Sequence, residues 1–430
     1  MTRPLYALGA VCLLGLALPV LYGALGHDLL RGLYAQATAS SQPPLQYYLA
    51  RWDYELPKWS TLAVVLSLFG AGLLLAQRRL GWLPTLSALG ICVLIVELLI
   101  GALLKRPALA SKSSLAPSVI DVYLRMRNVI QTMRSCARFD AELFYTLRPG
   151  SCRFDNVEFD TEVSINSQGL RDDEQSLVAP EIVVVGDSHA MGWGVEQEAT
   201  FSEILQRQSR RKVLNAGISS YGTYREMRIL RRLDLSGLQA LVIQYCENDY
   251  WENLHLYRRD GELERREEAR YNAAIDSFER ARRYWPIKYT FLSLRTALFP
   301  SPPRELKHMK QGVLPSQLAV FLAMTRHAPQ ALKGVPVAVL ETCPNSTLVA
   351  DLQAALSRGE LEGGLRFQPL PLPELWRDPE RHVYFYPLDG HLKPAGHQRV
   401  AARIGQWLAQ LRRKPASELP VHDSGIQLHH

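Results

Sequence analysis

The chain has 430 residues, 47% of them apolar, and a formal charge of +7. That length exceeds one small domain and leaves room for two or three units. The positive charge is scattered with no basic cluster interleaved with aromatics, which argues against nucleic acid as a partner, and the six cysteines fall in no zinc-ligand spacing.

The average composition hides a strong asymmetry. Residues 5–25 and 59–77 carry no charged side chain, and 82–104 carry only Glu97. Each run is near the ~20 residues needed to cross a bilayer core, so three transmembrane helices are expected within a membrane region, 1–110. The charged start "MTR" resembles an export signal, but the long apolar run without a nearby cleavage site predicts a signal anchor. Arg3 and the pair Arg78–Arg79 suggest cytoplasmic flanks, diluted by Arg31, Arg51, Lys58, Lys105 and Arg106 on the other side. Glu97, a carboxylate inside a span, suggests pairing with another helix or with a partner subunit in the membrane. Cys12 and Cys92 fall inside spans as small packing residues. Cys136 with Cys152, and Cys246 with Cys343, are candidate disulfides if the compartment is oxidising.

Residues 111–180 read as linker and accessory segment. A helix is expected at 115–133, from apolar residues at Val119, Val122, Tyr123, Met126 and Ile130. Turn-rich, alternating runs follow up to residue 180. From 181 the pattern becomes strand (181–185), helix (199–208), strand (212–215), helix (223–233), strand (240–246), helix (316–332) and strand (335–343). Such alternation predicts a parallel sheet with helices on both faces, an α/β domain over 181–412. An insertion at about 252–315 holds a charge-laced helix and then "PIKYTFLSLRTALF". The simplest expectation for that apolar segment is a helix packed on the sheet; a lid or a helix on the membrane surface are the alternatives. The tail, 413–430, has little to bury and is expected to be disordered.

The stretch "EIVVVGDSHAMGWG" sends a buried strand directly into Gly186-Asp187-Ser188. A serine at the carboxyl end of a parallel sheet stands where such sheets bind ligands. By itself Ser188 is also an ordinary N-cap. A nucleophilic reading needs a base, an orienting acid and oxyanion donors.

With that block, "NAGISSYGT" (215–223), Cys246-Glu247-Asn248-Asp249 and "DGHLKPAGHQRVA" (389–401), the sequence resembles the SGNH/GDSL hydrolase family over residues 181–411. The resemblance implies a three-layer, flavodoxin-like α/β/α domain behind the membrane helices, with no metal or organic cofactor. It implies Ser188 as nucleophile, His391 as base and Asp389 as orienting acid. The oxyanion donors would be the N–H groups of Ser188 and Ser220 and the amide of Asn248. Ser220 stands where the family has glycine, and Cys246 replaces another. Asp-x-His replaces the common Asp-x-x-His, a contraction resembling extracytoplasmic branches that handle surface polysaccharide acetylation. The implied protein is a multi-pass inner-membrane esterase or O-acyltransferase with its catalytic domain in the periplasm, acting on O-acetylated cell-envelope or exported polysaccharide. A lipid esterase near the bilayer, or a non-catalytic assembly module, are the alternatives. His189 and His397 are rival histidines; Asp187 and Asp249 read as loop braces, Asn248 also fits a simple turn, and Trp193 and Tyr221 fit either an acyl pocket or the core.

Overall fold

The structure, a computed structural model, describes residues 45–413 apart from 260–266, 300, 311, 345, 362–363 and 379–380, together with Leu14, Ala17, Gly26 and Leu29. The chain divides into two units, drawn from residues 1–126 with 282–315 and from 127–281 with 316–430.

In the first unit, the helices Leu45–Leu80 and Trp82–Leu104 are long and apolar enough to cross a membrane. They contain two of the expected spans; the third, 5–25, lies outside the described residues apart from Leu14 and Ala17. Leu45–Leu80 begins well before its apolar run because residues 45–58 form helical turns of their own. Glu55 there accepts from Trp59 Nε1 at 2.7 Å and pairs with Lys58 at 3.2 Å. Gly81, at φ +83°, turns the chain between the two helices. The helix expected at 115–133 is shorter, Ala116–Met126, followed by a separate 3₁₀ turn, Ile130–Thr132.

The same unit contains the insertion helix Lys288–Leu298, which corrects the expectation that this segment packs on the sheet. Its first-turn N–H groups need an acceptor. Glu97 provides it, accepting from Tyr289 N at 3.3 Å and Thr290 N at 2.8 Å, while Thr296 Oγ1 donates to Asp121 at 2.6 Å. Glu97 is therefore occupied within its own unit.

The second unit opens with two antiparallel hairpins, β1 (Ala137–Asp140) with β2 (Phe144–Leu147) and β3 (Gly150–Asn156) with β4 (Phe159–Ile165). A disulfide joins Cys136 to Cys152. The five-stranded parallel sheet follows: β5 (Ile182–Val185), β6 (Val213–Asn215), β7 (Ala240–Tyr245), β8 (Pro336–Glu341) and β9 (Arg366–Pro369), in spatial order β6-β5-β7-β8-β9. This 2-1-3-4-5 order is the flavodoxin-like one. Continuous apolar strands form because both faces are covered. Ile182, Val184, Val242 and Ala338 pack with Phe201, Leu205, Ile404 and Trp407, and the alternate residues Val183, Val185, Leu241 and Ile243 are equally buried. β9 was not among the expected strands: only Phe367 of its four residues is buried, and a proline ends it at the sheet edge.

Candidate active site

The sheet delivers its chemistry at the carboxyl ends of the strands. β5 runs into Gly186, whose φ is +152°. A Cβ there would come within 2.5 Å of Gln244 Oε1 and 2.8 Å of Ala190 Cβ, so glycine is required by space as well as by backbone. Gln244, next to the carboxyl end of the otherwise apolar β7, organises this turn. Its Oε1 accepts from Asp187 N at 3.0 Å and Ala190 N at 3.1 Å, and its amide donates to Thr342 Oγ1 at 2.9 Å. Asp187 caps the short helix Ser188–Met191 by accepting from His189 N at 2.9 Å. Ser188 thus stands at a helix N-terminus, where its own N–H has no carbonyl to meet within the helix.

Ser188, His391 and Asp389 come together. His391 Nε2 lies 2.7 Å from Ser188 Oγ, and its Nδ1 is hydrogen-bonded to Asp389 Oδ1. Gly390, at φ +79°, turns the chain so that residues two apart face each other. Trp193 is stacked on the imidazole, centroids 4.6 Å apart and planes 13° from parallel. It is a core residue as well, packed edge-on against Phe154 at 4.7 Å, so it ties the His391 ring to the core.

Two residues that motif reasoning missed hold the acid. Arg127 Nη1 lies 3.0 Å from Asp389 Oδ1 without a directed hydrogen bond, and its guanidinium sits 5.1 Å over the Trp193 ring. Glu158, on the β3–β4 turn, accepts from Asp389 N at 2.7 Å and Leu388 N at 3.1 Å. Burial pushes the Glu158 carboxyl up to about 7, against the pull of those two N–H groups. No local spacing marks either residue, since both lie more than 200 positions from their partner.

His189 is not placed as the base. Its Nε2 faces Cys343 Sγ at 3.7 Å, its buried Nδ1 has no hydrogen-bond partner, and burial holds it well below the usual histidine range. His397 is structural: it accepts from Phe201 N at 3.2 Å through Nδ1, and burial lowers it to about 3. Its proximity to the catalytic candidates in sequence reflects the start of the helix Pro394–Arg413.

The expected oxyanion residues are set differently. Ser220 sits at φ +61°, the left-handed region that favours the glycine it replaces. Its carbonyl accepts from Arg225, the neighbouring Ser219 carbonyl from Tyr145 Oη at 2.6 Å, and its hydroxyl from Gln131 Nε2 at 3.0 Å. Arg225 is itself buried under Tyr221 at 4.0 Å and paired with Glu252 at 2.6 Å. Tyr221 donates to the Tyr145 carbonyl, which makes it a packing residue. Arg127 and Gln131 belong to one short segment outside the four blocks, and it touches both Asp389 and the loop at Ser220.

Asn248 lies in the first turn of the helix Glu247–Tyr257, and its Nδ2 donates to Asp187 Oδ2 at 3.0 Å and to Asp249 Oδ1 at 3.2 Å. Asp249 also accepts from Cys246 N at 2.8 Å. Burial raises Asp187, and burial together with neighbouring carboxylates raises Asp249 and Glu226 well above the usual range. Both hydrogens of the Asn248 amide are thus engaged, and a ligand oxygen received there would take the place of one of these two carboxyl acceptors.

The turn after Met191 hangs from Arg171, a fully buried residue of the connection between β4 and β5. It donates to the Gly192 carbonyl, to Val195 O at 2.6 Å and to Gln197 Oε1 at 3.1 Å; burial lowers it to about 10. Across the site a second disulfide, Cys246–Cys343, ties the ends of β7 and β8. Cys246, Cys343 and His189 have their donor atoms within 4.8 Å of one another, but a disulfide leaves no thiolate pair for a metal.

No family model matches the chain, and no curated protein does. Among solved structures, a protein described as lipolytic and of the G-D-S-L family, from Desulfitobacterium hafniense DCB-2, aligns with 52% of this chain and 97% of its own at 11% identity and a TM-score of 0.28. A likeness at that score carries no argument about function.

Proposed function

We propose that the chain is a membrane-anchored serine esterase or O-acyltransferase working through an acyl-enzyme. The single observation that carries this is the continuous contact from Ser188 Oγ to His391 Nε2 and from His391 Nδ1 to Asp389. His391 takes the Ser188 proton as the hydroxyl attacks an ester carbonyl, and Asp389 fixes the tautomer and faces the imidazolium that forms. The oxyanion is received by the N–H groups of Ser188 and Ser220 and by the amide of Asn248, a typical donor of this kind being worth ~3 kcal/mol of barrier. Collapse expels the alcohol, which takes the proton back from His391. Water then releases the acid, or an acceptor hydroxyl takes the acyl group.

The reading extends to an extracytoplasmic site. Two helices long enough to cross a membrane and two disulfides support it. The resemblance to polysaccharide-acetylation branches favours an O-acetyl group on a cell-envelope glycan as the ester. The departures at Ser220 and Cys246 favour one rival, a non-catalytic module that kept the triad geometry.

Incubation of the purified full-length protein with a fluorophosphonate probe separates the two. Labelling that vanishes in Ser188→Ala supports the enzyme, and a folded protein that is never labelled defeats it. A pentose or hexose acceptor added during p-nitrophenyl acetate turnover then distinguishes transfer from hydrolysis by the product formed.

A further inference from the structure

The insertion helix Lys288–Leu298 has two unlike sides. One is tied down by polar contacts to the apolar helix Trp82–Leu104. Glu97 Oε1 accepts from Tyr284 Oη at 2.9 Å and Tyr289 N, and Oε2 accepts from Thr290 N at 2.8 Å and Thr290 Oγ1 at 2.9 Å. Tyr289 also lies over Gly101, where a Cβ would stand 3.5 Å from its ring. The other side is apolar and uncovered: Ile287, Phe291 and Leu294, spaced at i, i+4 and i+7, are each about half exposed, at 48%, 50% and 54%. Trp285 and Phe299 extend that face at both ends.

Depth decides what covers this face. Glu97 stands seven residues before the end of Trp82–Leu104. At 1.5 Å per residue that is roughly 10 Å inside the helix end. Neighbouring Leu94, Ile95 and Leu98 are exposed there at 54%, 57% and 64%, as a lipid-facing span requires. A helix whose N-terminus is capped at that depth has its apolar face level with the same hydrocarbon. Arg283 before it, Arg295 in its last turn, and Arg304 and Lys307 after it suit the anionic headgroup layer. A carboxylate in a span is costly unless its bonds are satisfied; here four donors satisfy it, and they are the donors that attach this helix.

We propose that the Ile287–Phe291–Leu294 face is embedded in lipid, with Glu97 as the clamp that anchors the insertion from within the bilayer. The proposal rests on the reading that Trp82–Leu104 crosses a membrane. It makes the insertion an additional membrane contact beyond the spans themselves.

Nitroxide labels at Phe291→Cys, Leu294→Cys, Leu98→Cys and Val178→Cys, each with Cys12→Ser and Cys92→Ser in the full-length protein, test it in phosphatidylcholine–phosphatidylglycerol vesicles. Accessibility to oxygen relative to a water-soluble nickel chelate reads depth. The expected ratio at 291 and 294 matches that at 98 and exceeds that at 178, an exposed position in the globular unit, several-fold. A 291 ratio equal to that of 178, with 98 still in lipid, overturns the proposal alone. Low access to both reagents at 291 overturns it in favour of a protein-covered face. A water-like ratio at 98 overturns the membrane reading and the proposal with it. Glu97→Leu should bring 291 towards the water-like ratio while leaving 98 in lipid, and Glu97→Gln, which keeps an acceptor, should preserve much of the depth. Unchanged depth at 291 in Glu97→Leu removes the clamp from the proposal.

Discussion

Arg127 Nη1 and His391 Nδ1 meet the same oxygen, Oδ1 of Asp389, from two directions. Arg127 brings a guanidinium to it, and in the proposed mechanism His391 brings a charge that appears only during the reaction. Arg127 therefore sets the rotation of the carboxylate, and through its place over Trp193 it also fixes the ring stacked on His391.

Arg127→Ala should lower kcat for ester turnover by roughly 10- to 100-fold through misplacement of the base, with KM little changed. Arg127→Lys should recover part of it, and added guanidinium should rescue the alanine variant. A loss that guanidinium cannot touch, accompanied by a lower Tm, would mean that the residue only supports the fold.

Glu158 gives stability a pH dependence of definite sign. Its carboxyl rises from the ordinary 4.5 to about 7 on folding, so the folded state binds the proton more tightly than the unfolded chain. The associated stability is fully present below about 4.5 and is lost as pH rises through about 7. After allowance for solvent screening it amounts to about 1–2 kcal/mol. Asp172 is also raised by burial to about 7 and contributes in the same direction. Denaturant titrations at several pH values should show wild-type stability falling across this window. Glu158→Gln, which keeps an acceptor for Asp389 N, should flatten the slope by its own share, and an unaltered slope would contradict the assignment.

Ser220 is the place to ask whether the oxyanion loop is complete. Its left-handed backbone costs a side-chain-bearing residue about 1 kcal/mol relative to glycine. Ser220→Gly should raise stability by an amount of that order, less glycine's extra freedom in the unfolded chain, and should preserve or increase turnover because a backbone N–H is the donor. Ser220→Val should lose both. If Ser220→Gly abolishes turnover, the hydroxyl and its contact with Gln131 matter more than the backbone.

Much of the site was legible because the chemistry sits at strand ends, and the strands announce themselves. Ile182–Val185 and Ala240–Tyr245 are apolar runs, so pattern placed Ser188 and Asn248 at strand ends, while the roles expected of them came from the family resemblance. Gln244 left a usable signal, one amide in an apolar strand, and its structure explains why it is there. Arg127, Glu158 and Arg171 left none: each acts through a contact made only when distant segments close on the sheet. The segment 286–299 misled for a different reason. Its apolar spacing specifies a helix with a face to bury, but not which unit receives it; that choice falls to Glu97, nearly 200 residues away.

The disulfides should separate stability from catalysis. Cys246–Cys343 closes 97 residues and Cys136–Cys152 closes 16, so removing either should cost about 2–4 kcal/mol in urea unfolding. Cys246–Cys343 borders the Asn248 side of the site: Cys246 precedes the helix Glu247–Tyr257, which carries Asn248 in its first turn, and Cys343 faces His189, whose ring lies 4.8 Å from that of His391. The Cys246→Ser/Cys343→Ser variant should therefore slow fluorophosphonate labelling of Ser188 even where it remains folded, while Cys136→Ser/Cys152→Ser should label at the wild-type rate. Equal slowing in both would mean that labelling follows global stability, and that the bond between β7 and β8 has no part in shaping the oxyanion side of the site.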